Sequence, residues 1–139
     1  MVNQQKSKKP KIEVMFSSQY PEEAKDDIID IFEEEFEVKV SSMMSIRKDV
    51  SIWIAVTVVL VGVGQALKVF LKNFIGESGK LLAQKLFGAA NRVSETERPV
   101  TVQLEIIINS ERRAVTGKDA EDLYQKLLEM TKEETENQV

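Results

Sequence analysis

Apolar and polar residues alternate cleanly at both ends of this chain and follow a helical period in between. Ile12, Val14 and Phe16 alternate with Lys11, Glu13 and Met15, which predicts a strand with the apolar trio on one face. Pro21 then suits a first helical position, and Glu22 and Glu23 suit the positive start of a helix. Ala24, Ile28, Ile31, Phe32 and Phe36 recur at helical spacing, so an amphipathic helix is expected over 21–35. Val38 and Val40 alternate with Glu37, Lys39 and Ser41 as a second strand. Strand, helix and strand in this compass form a βαβ half or its split relative.

The far end repeats the logic in another order. Val100, Val102, Leu104, Ile106 and Ile108 give the clearest alternation in the sequence. Asn109, Ser110 and Glu111 supply a turn, and Arg112 to Thr116 return as a partner strand. Thr116 is placed to cap a last helix with Asp119 three residues on, and Ala120, Leu123, Tyr124, Leu127 and Leu128 form its buried stripe. The expected fold is α+β: a small four-stranded sheet built from a βαβ half and a ββα half, with a hydrophobic helical hairpin inserted over 50–93.

That insertion is the most informative stretch. Val50 to Leu67 runs eighteen residues without a charge. Leu67, Phe70, Leu71 and Phe74 then fall at helical spacing, with Lys68 and Lys72 on the other side, as an amphipathic continuation. Gly76 to Gly79 breaks it, and Leu81, Leu82, Leu86 and Ala90 begin a second helix that ends near Arg92. Length favours a helix over 50–67. A buried strand over 52–61 is the rival, since Ile and Val dominate there and periodicity cannot separate the two.

Charge divides the 139 residues further. Lys6, Lys8, Lys9 and Lys11 make a basic start, and 1–10 is expected to be a mobile tail ahead of a single domain over 11–132. Residues 21–37 hold nine acids against Lys25, the stretch 65–98 is net basic, and 133–139 reads as an acidic tail. Solvated faces explain this pattern, as does attraction between the acidic 21–37 element and the basic 65–92 element. The start lacks an apolar core, so no secretory signal is expected.

Composition narrows the chemistry. With no Cys and no His, thiolate, imidazole and Cys/His zinc chemistry are excluded. A net charge of −4 argues against a general nucleic-acid partner. Gly62-Val63-Gly64 lacks the third glycine and the acid of a dinucleotide turn. Gly76-Glu77-Ser78-Gly79-Lys80-Leu81 lacks the first glycine and the hydroxyl of a phosphate loop, and reads as an interhelical turn. Asp26, Asp27 and Asp30 fall short of a cation site. Tyr20, Tyr124, Trp53 and Lys80 are the versatile side chains an enzyme would have to use, and each reads as structural. No cofactor, metal or catalytic residue is expected.

The expected function is therefore a cytoplasmic, non-enzymatic interaction or assembly module. It would form a homo-oligomer or bind a protein partner through the hairpin 50–93, using Ile52, Trp53, Val56, Val59, Leu60, Val63, Leu67 and Phe70. The alternative is a membrane-associated protein anchored by 50–67, since eighteen apolar residues in a helix approach the bilayer's thickness. Spanning would leave each side of the bilayer with an incomplete sheet, whereas contact with a membrane surface leaves the fold intact.

Overall fold

A computed structural model describes residues 9–42, 52–60, 63–74, 76–93, 100–108 and 110–137. Five strands run Lys11–Phe16 (β1), Glu37–Ser42 (β2), Ile52–Leu60 (β3), Val100–Ile108 (β4) and Glu111–Thr116 (β5). Four α-helices run Lys25–Glu33 (α1), Val63–Asn73 (α2), Glu77–Arg92 (α3) and Ala120–Asn137 (α4), and a short 3-10 turn at Glu22–Ala24 leads into α1. The class is α+β, as the patterns predict, but the sheet has five strands rather than four.

The additional strand is the heart of the molecule. The sheet order is β2-β1-β3-β4-β5, so β3 occupies its centre, antiparallel to β1 and parallel to β4. The helix expected over 50–67 is therefore corrected to a strand over 52–60 and a separate helix α2 that begins at Val63. The physical reason is side-chain shape. Six of the nine residues Ile52–Leu60 are β-branched, which crowds a helix and fits a pleated surface. Paired on both edges and buried along most of its length, such a strand reads as one continuous apolar run.

Two crossover units result. β1 and β2 lie parallel around α1, while β3 and β4 lie parallel around α2 and α3. β5 closes a hairpin on β4 through Asn109-Ser110, with Ser110 in the left-handed region at φ 68°. Asn109 itself lies outside the described residues, as do most of the 1–10 tail, Gly62 and 94–99. Of the expected tail, Lys9 donates to the Glu33 carbonyl (2.8 Å), and Pro10 accepts from the Glu37 N–H (2.8 Å). At the other end the backbone of α4 continues through Glu133, Glu134 and Glu136 to Asn137.

One core joins the sheet to all four helices. Ile12, Val14, Phe16, Ile54, Val56, Val58, Val102, Leu104 and Ile106 point into it from the strands. Ile28 and Phe32 of α1, Phe70 of α2, Leu82 and Leu86 of α3, and Leu123 and Leu127 of α4 meet them. Phe70, Phe74 and Phe32 stack in sequence, with ring centroids 4.8 and 5.1 Å apart. The acidic and basic elements do meet: α1 packs on α3, where Lys85 lies 3.9 Å from Asp27.

Candidate functional site

The second face of the sheet is built from the residues that alternate with the core set. Strand registry aligns them in cross-strand rows. Glu13 lies opposite Lys39 on one side and Val59 on the other, and Val59 lies opposite Ile107, which faces Arg112. Met15, Thr57 and Glu105 form the next row, and Trp53 lies opposite Thr101 further along β3. None of Met15, Trp53, Val59 and Ile107 belongs to the helix-packed core or to its margin, although all four are half-buried. Among the described residues no helix lies on this face.

Hydrogen bonds tie its polar members together. Thr57 Oγ1 and Arg112 Nη1 both donate to Glu105 Oε1, at 3.1 Å each. Trp53 Nε1 donates to Gln103 Oε1 at 3.4 Å, and Ser41 Oγ donates to Glu13 Oε2 at 2.6 Å. The chain leaving β1 secures the Trp53 end of β3. Ser17 Oγ donates to the Trp53 carbonyl (2.7 Å) and accepts from the Ala55 N–H (3.0 Å), while Gln19 Oε1 accepts from the Trp53 N–H (2.7 Å). With β3 thus pinned, Ala55 and Thr57 are buried beneath their longer neighbours even on the open face.

The formal charges on this face balance. Lys11, Lys39 and Arg112 stand against Glu13, Glu37 and Glu105, mostly toward the rim, around the apolar Met15, Trp53, Val59 and Ile107. Lys11 and Glu37 lie 3.9 Å apart there.

The eight residues expected to form an interface divide by strand parity and helix face. Ile52, Val56 and Leu60 point to the helix side and are buried in the chain's own core. Leu67 and Phe70 of α2 are buried in the same core. Val63 begins α2, and its side chain lies outside the description. Trp53 and Val59 alone of the eight are placed on the open face. The sequence reading missed Met15, Gln103, Glu105 and Ile107. The signal that finds them is a period of two along β3, visible once 52–60 is read as a strand.

The other nominated residues lie apart from this face. Gly76 stands at the N-cap of α3 and its carbonyl accepts from the Lys80 N–H (3.1 Å), so the phosphate-loop-like string is corrected from an interhelical turn to the first turn of α3, which starts at Glu77 rather than near Leu81. Lys80 Nζ sits 5.8 Å from the Tyr124 ring centroid and helps line a shallow hollow of about 440 Å³ between α3 and α4. Tyr20 is buried edge-on to Phe16, with ring centroids 4.9 Å apart. Its hydroxyl has no hydrogen-bond partner among the described residues. Burial foremost, and then the Asp27 carboxylate, push its phenol above the ordinary tyrosine range, opposed by Arg92. No group of three metal-ligating side chains occurs among the described residues, and no helix there is long and apolar enough to cross a membrane.

These features define a two-layer α+β protein whose sheet carries helices on one face and, among the described residues, none on the other. Comparison with protein-family models, curated proteins and solved structures gives no match in any of the three.

Proposed function

We propose that this protein is a non-enzymatic assembly module that pairs with a second copy of itself through the open face of its sheet. The observation that carries the reading is the exclusion of Met15, Trp53, Val59 and Ile107 from the helix-packed core. Val59 and Ile107 are cross-strand neighbours with Met15 one row on, and Trp53 stands further along β3; not one of the four serves the chain's own core, and apolar side chains gathered on an uncovered face suit an interaction surface. By contrast Val40 and Leu81, the exposed large apolar side chains among the described residues, stand singly and require no partner.

Area and charge favour a second copy as the occupant. With strands about 4.8 Å apart and about 3.3 Å per residue, the platform is about 24 Å wide and about 30 Å long at its centre. Because β1, β2 and β5 are only six residues long, the area is about 570 Å², near the lower end of the ~600–1,000 Å² that each partner of a stable pair buries. Three cations and three anions on the same face make it self-complementary in charge, as a two-fold contact requires. Two such sheets pack face to face about 10 Å apart.

Trp53 is the chain's single tryptophan and reports on this face directly. Diluting the protein from about 100 µM to about 0.1 µM should shift its emission to the red as pairs separate, in step with a fall in mass by light scattering. An emission maximum and a monomer mass that both stay constant across the series would overturn the reading.

A further inference from the structure

The outer edge of β5 has no strand beside it among the described residues, and α4 runs along its helix side. Between them lie two adjoining hollows of about 620 and 550 Å³ that share Thr116 and Lys126. We propose that this edge is a docking site for an acidic, extended segment of another protein, which adds to the sheet as a sixth strand beside β5.

Backbone geometry provides the first half of the argument. In a two-residue hairpin the closing pair, here Ile108 and Glu111, exchanges both hydrogen bonds, and every second pair after it does the same. Arg112, Ala114 and Thr116 then turn their N–H and C=O groups away from β4. Three successive outward positions match a segment of about six residues in the strand-addition mode of recognition. Val115 and Met130 give that segment an apolar floor on the helix side.

Charge provides the second half. Arg112, Arg113, Lys118 and Lys126 line the two hollows against Asp122 and Glu129, a local excess of cations on a chain of net charge −4. In the ion pairs of Arg112 with Glu105 at 3.1 Å and Lys126 with Asp122 at 3.4 Å the cation is the more exposed partner and can also meet an incoming carboxylate, whereas Arg113, with Glu111 at 3.8 Å, is the more covered one. A second β5 is a poor occupant, because edge-to-edge pairing would bring two Arg112-Arg113 pairs together. The chain's own terminal acids are held in α4. The cleft opens between β5 and α4; Arg112 is shared with the open face, so Lys118 and Lys126 are the cations that distinguish this proposal from pairing through that face.

The test is fluorescence anisotropy of labelled synthetic peptides titrated with the full chain, with backbone amide shifts recorded in parallel. The probes are a peptide of about six residues alternating Glu and Val, its Lys–Val counterpart, and the Glu–Val peptide N-methylated at alternate amides. A short oligothymidylate is the fourth probe. The Glu–Val peptide should bind and shift the amides of 111–116. Its affinity should fall at least about tenfold in the Lys118→Gln, Lys126→Gln double variant and again at high salt. N-methylation should remove binding, because the added strand then loses its ladder. Failure of the Glu–Val peptide to bind would overturn the proposal. So would equal binding of the Lys–Val peptide, the N-methylated peptide or the oligothymidylate, or an unchanged affinity in the double variant.

Discussion

Parity along β4 gives adjacent residues opposite fates. Ile106 points into the helix-packed core, and Glu105 next to it lies on the open face, where it accepts from Thr57 and Arg112. Ile106→Asp should unfold the chain, because it buries a charge with no partner. Glu105→Lys should leave a folded protein weakened by about 1–2 kcal/mol, since it removes two hydrogen bonds and sets a cation beside Arg112. Urea denaturation of both variants checks the pair, and equal losses would shift the strand register by one. A second test concerns Tyr20, whose buried hydroxyl lacks a partner among the described residues while its ring packs on Phe16. Tyr20→Phe keeps the ring and removes the polar group. It should match or exceed the wild-type thermal midpoint, and a fall of more than about 1 kcal/mol would reveal a hydrogen bond made elsewhere.

At the scale of elements, legibility followed contrast. β1, β4, α1 and α4 each set a buried face against a more exposed one, and Ile12-Val14-Phe16 or Leu123-Tyr124-Leu127 announce that contrast in the sequence. β3 has little contrast to announce. Its helix side is core, and on its other side Ala55 and Thr57 are buried and Trp53 and Val59 half-buried. Eighteen charge-free residues therefore looked like one object, and their described part is a strand and the start of a separate helix. The interface residues chosen from that run inherited the error, since Ile52, Val56 and Leu60 serve the core. The cap of α4 is displaced in the same local way. Asp119 rather than Thr116 caps it, its Oδ1 accepting from the Asp122 N–H (2.8 Å), and Asp122 Oδ2 accepts in return from the Lys118 N–H (3.1 Å).

Two predictions belong to these helices. Asp119→Ala should cost about 1 kcal/mol in thermal or urea unfolding. The bond from the Lys118 N–H, foremost, holds the Asp122 carboxyl below its ordinary range. A depressed folded-state value stabilises the fold above the unfolded carboxyl's pKa of about 3.9 and is lost as pH falls through the lower folded value. Asp122→Asn should flatten that acid limb, and an unchanged limb would count against the bond. Within α3, Gly79 and Gly88 make an internal comparison. A Cβ at Gly79 would stand 2.3 Å from the Phe74 carbonyl oxygen, while one at Gly88 would meet nothing within 4 Å. Gly88→Ala should therefore stabilise by about 0.5–1 kcal/mol, and Gly79→Ala should destabilise by about 1–3 kcal/mol. Thermal midpoints of the two variants decide it, and a stabilised Gly79→Ala would mean that α3 sits further from the end of α2.

For the molecule as a whole, the long apolar run acts in a different place from the one its hydropathy suggests. It provides the central strand, which holds two crossover units together, and its odd-numbered positions help surface the face opposite the helices. The expectation of a self-associating module is retained as a proposal, while the surface assigned to it moves from a helical hairpin to a sheet. This move changes which variants are informative. Val56→Glu with Leu60→Glu would place charges in the core and unfold the chain, and so would say nothing of assembly.

Val59 and Ile107 are cross-strand neighbours, half-buried and outside the helix-packed core, so they are the positions at which assembly and folding separate. The most direct measurement is sedimentation velocity of the wild-type chain and of the Val59→Glu, Ile107→Glu double variant at about 50 µM. The wild type should sediment as a pair of 15.8 kDa chains, and the double variant as a monomer with an unchanged far-ultraviolet circular dichroism spectrum. A wild type that sediments as a monomer, or a double variant that remains paired, would contradict assembly through the open sheet face.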